Sequence, residues 1–306
     1  MNDLDLSVEL CGLRLKNPII AASGTFGFGR EHSCFFDLGK LGGIAVKGLT
    51  IKPRKGNPAP RIAETPSGIL NSVGLQNPGL SAFVESELPF LKEYDTRIIV
   101  NIAGTTIDEY CQMAEKLSQV EVDFIELNIS CPNVKQGGIT FGAQPDMVYE
   151  ITHEVKKNCR HPLIVKLSPN TGDIQQTAIA AEEGGADAIS LINTLLGMAI
   201  DVHSRKPVLA NIVGGLSGPA VRPIALRMVW EVSRSVNIPV VGMGGIMSGE
   251  DAISFLLAGA TAVSVGTANL IDPDACIRVL MELKRYMLQQ GIQDVKELVG
   301  GLKVDF

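Results

Sequence analysis

A closed eight-stranded (β/α)8 barrel is the fold this sequence predicts, and three observations predict it. Eight short, β-branched apolar runs recur along the 306 residues with helical patterns between several of them. That alternation builds either a closed barrel or a doubly wound sheet. The runs are also nearly continuous in their apolar character, as parallel strands covered on both faces should be. An internal echo favours the barrel: Glu183-Gly-Gly-Ala-Asp-Ala-Ile-Ser190 and Leu257-Ala-Gly-Ala-Thr-Ala-Val-Ser264 share a helix end, a Gly turn, small residues and a buried strand. The Gly supplies a left-handed carboxyl cap, and the small residues let helix and strand approach closely.

In chain order, Leu6–Leu15 reads as a small hairpin that closes the barrel bottom. The strands expected are Pro18–Ala22, Gly43–Lys47, Ile98–Ile102, Asp123–Ile129, Leu163–Leu167, Ala188–Asn193, Pro239–Gly242 and Ala262–Gly266. Helical patterns fill Ile107–Gln119, Asp146–Asn158, Ile174–Glu183 and Ala220–Val236. Two stretches are too long for simple connections, Gly48–Leu80 with Pro53, Pro58, Pro60 and Pro66, and Cys131–Pro145. Both leave the carboxyl end of a strand, the face on which such barrels carry their active sites. Ala252–Ile271 is uncharged and long enough to span a bilayer. Its Ser254, Gly259, Thr261, Ser264, Gly266, Thr267 and Asn269 fit a buried helix, a Gly turn and a buried strand better. No linker or low-complexity segment divides the chain, so residues 1–306 read as a single domain.

Composition narrows the function. Apolar residues make up 45% and charged residues 20%, enough for a sizeable core. A net charge of −6 with no Lys/Arg cluster argues against a nucleic-acid partner, and Lys52-Pro-Arg-Lys55 reads as a solvated loop. The acidic start Asn2-Asp-Leu-Asp5 does not fit a signal peptide, so a cytoplasmic protein without a membrane segment is expected. The six cysteines, at 11, 34, 111, 131, 159 and 276, contain no C-x-x-C pair. That argues against a zinc ribbon or a cysteine-run cluster motif, and all but Cys131 are expected to be small buried hydrophobes. Gly242 and Gly244 open a dinucleotide fingerprint that Met247 breaks, and His153-Glu154 lacks the second His of a zinc helix. Neither a Rossmann unit nor a metal site is expected.

Polar residues close the predicted strands one after another: Ser23, Lys47, Asn101, Asn128, Lys166, Asn193 with Thr194, Gly244 with Gly245, and Gly266 with Thr267. Each alone is equally a capping group; eight ends on one rim point to a ligand site, because stability alone favours apolar residues there. Val241-Gly-Met-Gly-Gly-Ile246 and Val265-Gly-Thr-Ala268 suggest a phosphate cradle after strands seven and eight. Ser130-Cys131-Pro132-Asn133 opens the loop after strand four and offers a thiol near the rim, a base if its pKa lies near working pH.

Asn71-Ser-Val-Gly-Leu-Gln-Asn77, Asn128-Ile-Ser-Cys-Pro-Asn133, Gly215-Leu-Ser-Gly-Pro219 and Gly242-Met-Gly-Gly-Ile-Met-Ser-Gly249 resemble class 1 dihydroorotate dehydrogenase, over essentially the whole chain from Leu6. Asn133-Val-Lys-Gln-Gly-Gly-Ile139, followed by Phe141-Gly142, is similar to the NAD-linked type B catalytic subunit. Arg222 and Trp230 depart from the Lys and Tyr more often found there, on a helix expected to lie outside the barrel.

The resemblance implies an FMN-binding TIM-barrel domain that oxidises (S)-dihydroorotate to orotate in de novo pyrimidine (UMP) biosynthesis. It implies that Cys131 removes a C5 proton while hydride leaves C6 for flavin N5; class 2 enzymes use Ser in this role. It assigns Lys47, Asn71, Asn128, Asn193 and Thr194 to the dihydroorotate ring and carboxylate, with backbone contacts from Ser72, Val73, Gly74 and Leu75. It assigns Ser23, Lys47, Gly48, Asn101, Asn128, Lys166, Ile192 and Gly218 to FMN, with Gly244, Gly245, Gly266 and Thr267 around its phosphate. Gly137, Gly138 and Gly142 make Cys131–Gly142 a candidate lid. Electrons are expected to leave through a partner subunit carrying FAD and a [2Fe-2S] cluster, in a heterotetramer of two catalytic and two partner chains. The rivals are a type A enzyme that works alone with fumarate and a non-catalytic phosphate-ligand barrel.

Overall fold

Eight parallel strands pair in chain order, and the eighth returns to the first to close a barrel. The structure, a computed structural model, describes residues 4–129, 142 and 144–304. The strands are β1 (Ile19–Ala21), β2 (Gly43–Ala45), β3 (Arg97–Ile102), β4 (Phe124–Asn128), β5 (Leu163–Lys166), β6 (Ala188–Leu191), β7 (Val240–Met243) and β8 (Ala262–Val265). Nearly every residue in them is buried, which is why they appear in the sequence as unbroken apolar runs.

The helices between them start where short polar side chains satisfy the first free backbone amides. Thr106 accepts from Glu109 N ahead of Ile107–Leu117, and Asp173 accepts from Gln175 N and Gln176 N ahead of Ile174–Glu183. Ser248 and Asp251 form a reciprocal capping box on Gly249–Leu257. Pro145–Lys157 and Arg222–Ser233 complete the ring facing β4 to β7, the latter entered through a 3-10 turn at Pro219–Val221. The internal echo is present in three dimensions: Gly185 (φ +98°) and Gly259 (φ +108°) adopt the left-handed turns that lead into β6 and β8. At Gly259 a Cβ would stand 2.4 Å from Ser233 Oγ, so only glycine fits this approach.

Val8–Leu10 and Leu13–Leu15 form the expected hairpin. Arg97 Nε donates to Arg14 O (3.0 Å) and Cys11 Sγ donates to Asp187 O (3.3 Å), which holds the hairpin under the amino ends of β3 and β6. The uncharged 252–271 stretch is divided between the end of Gly249–Leu257, β8 and the short helix Ala268–Ile271. Among the described residues no helix is long and apolar enough to cross a membrane.

The carboxyl face departs from expectation in one respect. The long excursion after β2 is present, but so is a second one after β6 that the sequence did not signal. The two combine into an antiparallel sheet ordered Leu195–Met198, Val213–Ser217, Gly68–Asn71, Ile62–Thr65. Leu195–Met198 and Val213–Ser217 are short, glycine-bearing and partly exposed, so they carry no apolar periodicity to read. Gly68 is required there, because a Cβ would lie 2.1 Å from Ser217 O.

The cysteines need a second correction. Cys159 and Cys276 are buried, but Cys11 and Cys111 are half-buried and Cys34 is exposed. Cys34 ends the 3-10 turn His32–Cys34 in the outer connection after β1, where no apolar face covers it.

Candidate active site

The mouth of the barrel is lined by amides joined in a row. Asn101 is the last residue but one of β3, Asn128 closes β4, and Asn193 follows β6. Asn128 Nδ2 donates to Asn101 Oδ1 (3.4 Å), and Asn193 Nδ2 donates to Asn128 Oδ1 (3.2 Å). Asn193 Oδ1 in turn accepts the backbone N–H of Thr194 (2.8 Å). Tyr110, fully buried on Ile107–Leu117, donates its hydroxyl to Asn128 O (2.7 Å) and pins the end of β4.

Beneath this row lies a buried charged layer. Asn101 Nδ2 donates to Glu126 Oε2 (2.5 Å), and Ser190 Oγ donates to Glu126 Oε1 (2.8 Å). Lys166 Nζ stands 3.7 Å from Glu126 Oε2, with both side chains almost fully shielded from solvent. Sequence reasoning found Asn101 and Lys166 but missed Glu126 and Ser190. The signal was available: Glu126 is a lone carboxylate inside an apolar strand, two residues before Asn128 and therefore on the same face.

Lys47, two residues past β2, is half-buried and forms no ion pair among the described residues. Burial, then the nearby Lys166 and Arg61 cations, push its ammonium below the ordinary lysine range. A half-buried cation with no ion pair among the described residues is suited to receive an anion. A cavity of about 740 Å³ adjoins it, lined also by Arg54, Lys55, Gln76 and Asn77. Arg54, expected in a solvated loop, is thus half-buried at this mouth, while Lys52 and Lys55 are exposed.

The 71–75 strip reaches the mouth from the cover sheet. Asn71 Nδ2 donates to Gly215 O (3.3 Å), and a Cβ on Gly215 would lie 2.0 Å from Thr194 Oγ1, so Asn71 and Thr194 flank the same glycine. Asn57 locks the strip: its side chain donates to Ser72 O (2.9 Å) and its backbone N–H to Val73 O (3.0 Å). Gly74 turns at φ +76° and Leu75 at φ +55°. Leu75 approaches Gly48, where a Cβ would sit 3.4 Å from Leu75 Cδ2 and 2.7 Å from Asn101 Oδ1. Ser72 Oγ is buried without a hydrogen-bond partner among the described residues.

The glycine cradle forms on the far side. Gly218 (φ +102°), Gly244 (φ +129°) and Gly245 (φ +72°) come together: a Cβ on Gly245 would meet Gly218 O at 2.7 Å and Arg222 N at 3.0 Å. A Cβ on Gly244 would stand 3.4 Å from Ile192 Cγ1, and the Ile192 side chain is buried in the core. Thr267 Oγ1 donates to Ser217 Oγ (2.9 Å). A Cβ on Gly266 would sit 3.6 Å from Ala22 Cβ and 4.0 Å from Thr25 Cγ2, ordinary contact distances, so packing does not demand glycine there. Ser23, half-buried, leads into Gly24, whose Cβ would lie 3.9 Å from Lys47 Nζ. Arg222 begins the helix Arg222–Ser233, as expected; its backbone N–H also borders the cradle, and its guanidinium pairs with Asp251.

Cys131 and the candidate lid, apart from Gly142, lie outside the described residues. Among the described residues no group of three His, Cys, Asp or Glu is arranged to hold a metal.

Comparison with known proteins gives a consistent result. Residues 5–287 match the family model described as dihydroorotate dehydrogenase. The chain is 60% identical over 302 residues to the dihydroorotate dehydrogenase B (NAD(+)) catalytic subunit of Alkaliphilus oremlandii, covering 99% of this chain and 100% of that protein. It is 56% identical over 301 residues to the subunit of the same name from Geotalea daltonii, covering 98% and 99%. Among solved structures, the dihydroorotate dehydrogenase of Eimeria tenella in complex with ferulenol superposes with a TM-score of 0.82 at 26% identity, covering 98% of this chain and 89% of that one.

Proposed function

This chain belongs to the dihydroorotate dehydrogenase family, and on that premise we propose how its barrel mouth carries out the reaction. The activity is oxidation of (S)-dihydroorotate to orotate in pyrimidine biosynthesis, as the NAD-linked type B catalytic subunit working with a partner subunit rather than as a type A enzyme. The observation that carries the site assignment is Lys47, a half-buried cation without an ion-pair partner among the described residues, beside the amide row Asn101, Asn128, Asn193 and Thr194.

FMN goes with the family, and the residues present fit it. Gly218, Gly244 and Gly245, all at positive φ, form a close-packed backbone turn suited to a phosphate, and Gly266 is a further position that packing does not require to be glycine. We read Gly218, Gly244, Gly245, Gly266 and Thr267 as its phosphate side, and Ser23, Lys47, Gly48, Asn101, Asn128, Lys166 and Ile192 as the contacts to the rest. Bound there, FMN supplies the acceptor for the hydride from C6 of dihydroorotate. Lys47 neutralises the substrate carboxylate. Asn71, Asn128, Asn193 and Thr194 hold the ring edge, whose alternating N–H and C=O groups suit amides and a hydroxyl. The backbone of Ser72, Val73, Gly74 and Leu75, stiffened by Asn57, closes the other side. Cys131, three residues after Asn128 in the chain, takes the C5 proton. Lys166 holds the flavin edge on which negative charge collects.

The same reading makes residues 1–306 one FMN-binding TIM-barrel domain of a cytoplasmic heterotetramer, two catalytic and two partner chains, with FAD and a [2Fe-2S] cluster on the partner. The test is a visible spectrum of the purified chain followed by dihydroorotate under anaerobic conditions. Yellow protein that bleaches, with Cys131→Ala and Cys131→Ser bleaching slower by about 10²–10⁴-fold, is the expected result. Wild-type bleaching that either variant matches would remove Cys131 from the mechanism. A chain that neither binds flavin nor responds to dihydroorotate would overturn the reading as a whole.

A further inference from the structure

The asparagines at the mouth form a one-way relay, and its direction is set from beneath the site. Glu126 faces Asn101 in register across β4 and β3 and is only 3% exposed. Its carboxylate is paired with Lys166 at 3.7 Å and accepts from Asn101 Nδ2 and Ser190 Oγ. A carboxylate has no proton to give, so Asn101 must turn its NH2 downward and its carbonyl toward the rim. That carbonyl accepts a hydrogen bond from Asn128 Nδ2, which leaves the Asn128 carbonyl to accept from Asn193 Nδ2. At the far end the backbone N–H of Thr194 can only donate, and it holds the Asn193 carbonyl. An amide is nearly symmetric in shape, so packing alone does not choose between its two orientations. Here an acceptor-only group at one end and a donor-only group at the other leave a single arrangement for all three.

We propose that Glu126 is a positioning residue that fixes the donor–acceptor polarity of the substrate-binding amides, and so decides which ring edge this mouth recognises. The inference rests on the reading of Asn128, Asn193 and Thr194 as ring contacts. It goes beyond charge balance: neutralising Lys166 needs a carboxylate nearby, whereas orienting Asn101 needs one in hydrogen-bond contact.

The experiment uses FMN-loaded protein and measures orotate dissociation by titration calorimetry, with flavin content and limiting bleaching rate alongside. Glu126→Gln keeps the shape but can offer an NH2, so the relay can run either way. Glu126→Asp keeps the charge but draws the carboxylate back from Asn101. Measured on the FMN-loaded fraction, both should weaken orotate binding by about 10-fold or more and raise half-saturation for dihydroorotate more than they slow the limiting rate. Ser190→Ala, which leaves the Asn101 contact intact, should change orotate affinity by less than about 2-fold. Wild-type affinity in Glu126→Asp would reduce Glu126 to a counter-ion and overturn the proposal, as would wild-type affinity in Glu126→Gln. If neither variant folds, neutron diffraction of the wild-type holoenzyme reads the three amide orientations directly, and any one reversed overturns it. Wild-type protein that fails to bind orotate would refute the underlying functional reading instead, whatever the variants do.

Discussion

Replacing Lys47 with Met separates the two things a buried cation does. Met keeps the unbranched length and removes the ammonium. In the ligand-free protein this ammonium is held below the ordinary lysine range chiefly by burial, with Lys166 and Arg61 adding repulsion. The folded state therefore binds the proton less readily than the unfolded chain does. Between the lowered folded value and the ordinary 10.5, the unfolded state carries more protons, so stability rises with pH through that window. Below it the penalty is fully present. Lys47→Met should lack this rise and should leave the ligand-free protein at least as stable as wild type near neutral pH. Binding should move the opposite way. Removing one partner of a desolvated charge pair costs about 3 kcal/mol, within a general range of roughly 2–5, or about 100-fold in the dissociation constant of orotate. Thermal melts across pH and orotate titration are the assays. Orotate affinity within about 3-fold of wild type, or a ligand-free variant destabilised by more than about 1 kcal/mol, would refute the assignment of Lys47 as a poised anion receptor.

Gly245→Ala should be costly in both stability and flavin content. At φ +72° its Cβ meets backbone on two sides, Gly218 O at 2.7 Å and Arg222 N at 3.0 Å, so side-chain rotation relieves nothing. The strain is about 1–3 kcal/mol before any clash, and the flavin-to-protein ratio after gel filtration should fall. Tyr110→Phe removes the hydroxyl that holds Asn128 O at 2.7 Å. It should cost about 1–2 kcal/mol, a few degrees in Tm, while shifting orotate affinity far less than Lys47→Met does.

What the sequence revealed and what it hid have the same physical origin. The eight strands were legible because burial on both faces demands continuous apolar side chains, and the strand ends were legible because polar residues interrupt those runs at matching places. The sheet over the mouth was half legible. The excursion after β2 announced itself through its prolines, but Leu195–Met198 and Val213–Ser217 are held by main-chain pairing with Gly68–Asn71 and by glycines, which leave no periodic trace. Glu126 was passed over because an apolar run was read as a run rather than residue by residue. A charged side chain on the inward face of such a strand costs too much to be incidental, so it should have been taken as the base of the site. The outer helix that Arg222 begins is legible in the sequence, but its start against Gly245 is not, because that approach is made by backbone rather than by a patterned side chain.

Charge at the mouth sets a limit on what each group can select. Lys47 and Lys166 set two cations against the single Glu126 carboxylate, and Arg61 lies near enough to Lys47 to add to their positive field. Dihydroorotate and orotate each bring one carboxylate, so that excess positive charge attracts substrate and product alike. Lys47 therefore supplies uniform binding, which lowers half-saturation without favouring the reaction. Discrimination has to come from the groups that sense the ring, which changes from puckered to planar as C5 and C6 lose their hydrogens. The amide relay suits that task because it is held at both ends, by Glu126 below and Thr194 N–H beyond, and cannot follow a change in ring shape by flipping. It follows that Lys47→Met should weaken dihydroorotate and orotate by the same factor, whereas Glu126→Gln should weaken them by different factors. Equal factors in both variants would place the selectivity outside the relay.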